Sequence, residues 1–122
     1  MRCAATQPGK VMKHKLTTLI HVPIDQWSEH SLQTENGHCS VMVWRGHTEW
    51  VAFINECPHQ GRRMDYAENA FLETPDKQLV CPAHGATFDA KTGLCTNGPC
   101  VGQSLTALAV SIEDKDVLVE FL

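Results

Sequence analysis

Apolar positions along this chain recur in short runs of two-residue period, not in the longer 3.6-residue period of a helix. Residues 14–22 (His-Lys-Leu-Thr-Thr-Leu-Ile-His-Val) are rich in β-branched residues and predict a first strand, ended by Pro23-Ile24-Asp25. Asp25 to His30 is expected to form a short helical turn, and the polar stretch Leu32 to Gly37 a loop. The clearest hairpin follows. Ser40-Val41-Met42-Val43-Trp44 and Trp50-Val51-Ala52-Phe53-Ile54 flank Arg45-Gly46-His47-Thr48-Glu49, a polar turn containing glycine.

Residues 60–80 read as polar and irregular apart from Phe71-Leu72 and Leu79-Val80. Ala86-Thr87-Phe88-Asp89 predicts a short strand, with Lys91-Thr92-Gly93 as its turn and Asn97-Gly98-Pro99 as a second breaker. Leu105 to Ile112 and Val117 to Phe121, joined by Glu113-Asp114-Lys115-Asp116, predict a closing hairpin. The expected fold class is all-β.

Composition narrows the field. The 122 residues suit one domain, and 43 % hydrophobic with 20 % charged residues describes an ordinary globular chain. The formal charge of −4 is unevenly placed. Residues 1–15 hold Arg2, Lys10, Lys13 and Lys15 with no acid, whereas the other six bases face all fourteen acids. An acidic body argues against nucleic acid as partner. It suits either simple solubility or steering to a basic docking patch. No stretch approaches the roughly 18 apolar residues needed to span a bilayer. The basic start has no apolar segment of a secretory signal, so a cytoplasmic location is expected.

Candidate chemistry lies in two short motifs, Cys57-Pro58-His59 and Cys81-Pro82-Ala83-His84, separated by residues 60–80. Each follows a predicted strand and offers one thiolate and one imidazole. Gly61 and Gly85 follow the two histidines and permit sharp turns, while Pro58 and Pro82 stiffen the loops. Two cysteines and two histidines meet the needs of a [2Fe–2S] centre with one iron on each pair. Zinc also accepts this donor set. Zinc fingers usually place like ligands together in sequence, however, and here each half is mixed.

The motifs and their surroundings resemble the Rieske [2Fe–2S] family, in its soluble ferredoxin branch. The likeness rests on Cys57-Pro58-His59-Gln60-Gly61, Cys81-Pro82-Ala83-His84-Gly85-Ala86-Thr87-Phe88-Asp89, Thr92-Gly93 and Gly98-Pro99, and spans roughly residues 14–122. It implies an antiparallel β-sandwich or incomplete barrel with a cluster-binding part of loops at one tip. It implies one domain over residues 1–122. Residues 1–13 would be a basic tail, 14–55 and 101–122 the basal β part, and 56–100 the cluster-binding part. One [2Fe–2S] cluster would be bound by Cys57 and Cys81 on the inner iron and by His59 and His84 on the outer. Gly98-Pro99 would be a third loop covering the cluster.

The function implied is that of a one-electron carrier, not itself an enzyme, passing electrons from a reductase to an oxygenase or other acceptor. The high-potential respiratory branch bridges its two loops with further cysteines and donates Ser and Tyr hydroxyls to the cluster. At the matching places this chain has Arg62, Ala83, Ala86 and Phe88, which predicts a potential near the low end of the family range. A second function class is a zinc-stabilised or redox-sensing adaptor. The small subunit of a nitrite-reductase-like complex is a further alternative. Oligomeric state is open.

Outside the motif, His14, His21, His30, His38 and His47 have no ligand-spaced partner and are assigned surface or packing roles. Cys3 reads as an incidental thiol, Cys39 as packed in the hairpin, and Trp27, Trp44 and Trp50 as core or edge aromatics. Cys95 and Cys100 flank Gly98-Pro99 and are either bridged or two free thiols. Arg62 and Arg63 are either solvated or placed to meet an acidic partner.

Overall fold

The computed structural model describes residues 13–34 and 37–122. Residues 1–12 of the expected basic tail, Cys3 among them, lie outside the described residues, and Lys13 belongs to the first strand instead of the tail. The chain divides into two compact units, residues 1–54 with 107–122, and residues 55–106. No α-helix occurs among the described residues, and no helix is long and apolar enough to cross a membrane.

The first unit is a six-stranded antiparallel sheet. Its strands are β1 (Lys13–Thr18), β2 (Trp27–Thr34), β3 (Gly37–Arg45), β4 (Trp50–Ile54), β10 (Ala107–Glu113) and β11 (Asp116–Phe121). They run in the order β1-β11-β10-β4-β3-β2. The outer strands β1 and β2 approach one another, so the sheet is nearly closed and barrel-like. Strand alternation fills the inside. Val41 and Val43 of β3, Ala52 and Ile54 of β4, and Val117 and Val119 of β11 join Leu16, Leu32 and Leu108 in one buried cluster. Each large apolar side chain buried this way contributes about 1.5–3 kcal/mol. Cys39 lies in that cluster, as expected, and is disulfide-bonded. Trp27 stacks on Phe53 at 6.1 Å and meets Trp44 at 6.0 Å.

Two expectations fail between residues 25 and 37. Asp25 is not in a helical turn: it adopts a positive φ of 62° and donates its N–H to the Arg45 carbonyl at 2.7 Å. Residues 27–34, expected as turn then loop, form β2 and pair with β3 from Trp27↔Trp44 to Thr34↔Gly37. The reason is cross-strand chemistry that composition conceals. Ser40 donates to the Glu29 carboxylate at 2.7 Å and Ser31 meets His38 at 3.2 Å across the strands, while Ser28 meets His30 at 2.8 Å along β2. These polar pairs serve one another while Trp27 and Leu32 go inward.

The first strand also stops early, at Thr18, and Leu19–His21 forms one 3₁₀ turn. Arg45 holds that turn by donating Nη1 to the carbonyls of Leu19 (3.2 Å) and Val22 (3.0 Å). The hairpins 40–54 and 105–121 occur where expected.

The second unit has shorter strands: β5 (Asp65–Ala67), β6 (Ala70–Glu73), β7 (Leu79–Val80), β8 (Thr87–Phe88) and β9 (Cys95–Asn97), hydrogen-bonded in that order. Residues 60–80 are therefore more regular than their polarity predicts, with a β5–β6 hairpin turning at Asn69 (φ 54°). Polar side chains close the turns here. The Asp89 carboxylate accepts the N–H groups of Lys91 (2.8 Å) and Thr92 (2.9 Å), which hold its pKa below the ordinary carboxylate value. Leu79, Phe88 and Met64 are almost completely buried, alongside Cys57, Cys81, Ala86, Cys95, Cys100 and Leu105.

Candidate metal centre

Two loops of one design leave two strands. After β4, residues 57–62 fold back so that the Cys57 N–H donates to the Arg62 carbonyl (2.6 Å) and the Gly61 N–H to the Cys57 carbonyl (2.8 Å). After β7, residues 81–86 repeat both bonds. The Cys81 N–H donates to the Ala86 carbonyl (2.8 Å), and the Gly85 N–H to the Cys81 carbonyl (2.8 Å). Gly61 and Gly85 take φ values of 67° and 74°, a conformation that side-chain-bearing residues rarely adopt. The histidine sits at the third position of the first loop and the fourth of the second.

The loops bring like to like. The rings of His59 and His84 meet edge to face, with centroids 5.1 Å apart. Cys57 and Cys81 interact directly through their thiols. Cys57 and Cys81 are 3 % and 1 % exposed, His59 is half-buried, and His84 is exposed. Burial pushes the Cys57 thiol above its ordinary pKa; the His59 backbone amide works against that, and Cys81 adds to it. A buried thiol of this kind ionises when a metal cation replaces its proton.

The donor set suits a two-iron cluster. The pairs formed here, Cys57 near Cys81 and His59 against His84, match one iron on two sulfurs and another on two nitrogens. His59 Nδ1 is buried with no hydrogen-bond partner, which metal ligation would satisfy.

The first loop is fixed from behind by a residue the sequence reading passed over. Asn55, 1 % exposed, accepts the Met64 N–H on Oδ1 (2.7 Å) and donates Nδ2 to Asp65 Oδ1 (3.0 Å). Asp65 also receives both Nε (2.9 Å) and Nη2 (2.8 Å) of Arg63. Burial would raise the Asp65 pKa, but the hydrogen bonds from Arg63 and Asn55 outweigh it and hold the carboxyl below its ordinary value. Arg63 is thus an intraloop partner, while Arg62 is exposed. The signal in the sequence was an Asn two residues before Cys57 with an Asp ten residues on, a pair that only a closed loop brings together.

Gly98 stands against the second loop. A Cβ added to it would lie 2.9 Å from Ala86 Cα, and its φ is 109°. This close approach brings the Gly98-Pro99 turn to the second loop. Cys95 and Cys100 lie at its two ends, both 2 % exposed, with sulfurs 3.0 Å apart. They are free thiols. Burial, with Cys95 and Cys57 nearby, pushes the Cys100 pKa up to about 12. Of the remaining histidines, His47 faces Asp25 at 3.3 Å, and burial lowers the His30 pKa.

A nearly closed antiparallel sheet joined to paired Cys-His loops defines a class of iron–sulfur protein. Residues 20–114 match the Rieske [2Fe-2S] domain family, to which this chain belongs, and the cofactor is a Rieske-type [2Fe–2S] cluster. Among solved structures, the chain resembles the ferredoxin of carbazole 1,9a-dioxygenase from Nocardioides aromaticivorans IC177. That match has a TM-score of 0.67 and 23 % identity over 88 % of this chain and 96 % of that one. It also resembles a chain in a complex of reduced oxygenase and oxidised ferredoxin of carbazole 1,9a-dioxygenase (0.65, 20 %, covering 88 % and 91 %). A candidate NADH-dependent nitrite reductase small subunit from Mycobacterium tuberculosis is similar as well (0.65, 13 %, covering 93 % and 97 %). At these identities the likenesses establish the fold. Comparison with curated proteins yields no match.

Proposed function

We propose that this chain is a Rieske-type ferredoxin, a carrier of single electrons between a reductase and an oxygenase or similar acceptor. Cys57 and Cys81 hold the inner iron, and His59 and His84 the outer one. The like-with-like pairing carries the reading, together with a gradient from buried cysteines to an exposed His84. When bound, the cluster accepts and releases one electron at a time.

The chain's residues do the rest. Buried Cys57 and Cys81 shield the sulfur side from water. The paired loops fix both thiolates through backbone bonds. Exposed His84 offers the short way out to a docked partner. Two neutral imidazoles in place of thiolates remove two negative charges, so an added electron meets less repulsion than in a four-thiolate cluster. Arg62, Ala83, Ala86 and Phe88 offer none of the hydroxyls or bridging cysteines of the high-potential branch. The potential is therefore placed toward the bottom of the range of about −150 to +300 mV.

The test is direct. The matured protein should contain two irons and two acid-labile sulfides per chain and, when reduced, give the electron paramagnetic resonance signal of a mixed Cys/His cluster. His84→Ala should abolish the visible spectrum. Bound zinc without iron, or a spectrum untouched by His84→Ala, would refute the reading. A potential above about +200 mV would refute its low-potential part.

The nitrite reductase likeness favours a second reading, an electron-transfer subunit within a larger complex. Reduction by an oxygenase-type reductase, with delivery to an oxygenase, separates the two.

A further inference from the structure

The pair Cys95–Cys100 has no part in the proposed ligand set, yet both thiols are buried and face one another at 3.0 Å. Cys95 opens β9 and Cys100 ends the turn made by Gly98-Pro99. Three backbone bonds hold that turn. The Cys95 N–H donates to the Gln103 carbonyl (2.8 Å), the Gln103 N–H to the Cys100 carbonyl (2.9 Å), and the Val101 N–H to the Gly98 carbonyl (3.4 Å). The backbone thus keeps two sulfurs facing at 3.0 Å. A disulfide is about 2.0 Å long, so closing it needs an approach of about 1 Å.

Residues 96–99 and 101–104 are all exposed, so a thin surface loop separates the buried thiols from solvent. On its inner side, Cys100 lies near enough to Cys57 for each thiol to shift the other's pKa. The pair therefore links the surface to a proposed cluster ligand.

We propose that Cys95 and Cys100 form a redox-modification site, closed to an intramolecular disulfide by low-molecular-weight disulfides and felt by the cluster through Cys57. The Cys95 thiol, not the Cys100 thiol whose pKa is raised, loses its proton and attacks a sulfur of the small disulfide, making a mixed disulfide on Cys95 and releasing one small thiol. The second cysteine then attacks the protein sulfur of that mixed disulfide, forming the Cys95–Cys100 bond and releasing the second small thiol. The pair gives up two electrons and two protons, and the reagent takes both. Closing the bond removes the Cys100 S–H beside Cys57. Reduction adds negative charge to the centre, and a nearby donor stabilises that charge. Its loss therefore lowers the potential.

This coupling rests on the proposed ligand set; the bond formation does not. The experiment treats iron-loaded protein with glutathione disulfide and reads it three ways: mass spectrometry of digests, iron content with visible spectrum, and midpoint potential. The expected products are a cross-linked Cys95–Cys100 peptide, opened again by dithiothreitol, and a downward shift of potential at constant iron. Cys100→Ser should stop at a persistent glutathione adduct on Cys95. The double variant Cys95→Ser/Cys100→Ser should keep its potential unchanged by the reagent. Both thiols remaining free in iron-loaded protein, or separate stable adducts on each in the wild type, overturns the proposal. A cross-link without a potential shift overturns the coupling. Failure of the ligand reading shows itself differently, as protein without iron whatever its thiols do.

Discussion

The two units of this chain are stabilised by different means. Residues 1–54 with 107–122 use strands of five to nine residues around an aliphatic cluster, where nearly every inward position is a branched apolar side chain. Residues 55–106 use strands of two to four residues, and much of what they bury is sulfur, alanine and one amide. Burial of apolar area supports the first. Side-chain staples, turn caps and the bound cluster support the second. A site that must hold four ligands in fixed positions is thus built from elements too short to stand alone, next in sequence to strands that can.

The largest expected effect tests this difference. Removing the cluster by chelation should strip amide-exchange protection from residues 55–106 and leave β3, β4, β10 and β11 protected, as hydrogen-exchange mass spectrometry would read. Equal loss in both units would show that they melt as one. Next in size, Phe53→Ala removes a fully buried ring stacked on Trp27 and should cost about 3–5 kcal/mol in urea unfolding of the first unit. Iron content at zero denaturant should hardly change. In the second unit, Asn55→Ala leaves a buried Met64 N–H without a partner and should cost about 1–3 kcal/mol. Its clearest sign is faster iron loss to a chelator.

The smallest effect is one of pH. The Asp65 carboxyl is held below its ordinary value, so its contribution is fully present above the usual carboxylate pKa. It fades as pH falls through the depressed one. Wild type should be more stable than Asp65→Asn at neutral pH, and acid titration should close the gap as pH falls below about pH 4. With Arg63 half exposed, the gap should be about 1 kcal/mol or less. A difference that survives unchanged in acid would mean that Asp65 acts by packing and not by charge.

The ligand motifs, the two main hairpins and the all-β class were legible in the sequence because each is local. A strand-then-Cys-Pro pattern, an alternating apolar run and a glycine at a turn depend on near neighbours. β2 was not legible, because Glu29 and Ser31 look like loop residues until β3 supplies Ser40 and His38 across from them. The short edge strand β5 was hidden by its exposed, polar character, and of β6 only Phe71-Leu72 stood out. The staple from Asn55 to Asp65 and the contact of Gly98 with Ala86 each join residues about ten apart that no periodicity links.

The sequence by itself determined which chemistry is available: two thiols and two imidazoles in paired loops, each turned by a glycine. Tertiary structure alone decided that sulfur meets sulfur and nitrogen meets nitrogen, that the thiols are buried while His84 faces water, and that Cys95 lies beside Cys100. Those are facts of distance and burial. They arise when separate segments pack, and a linear order of residues carries no distances between segments.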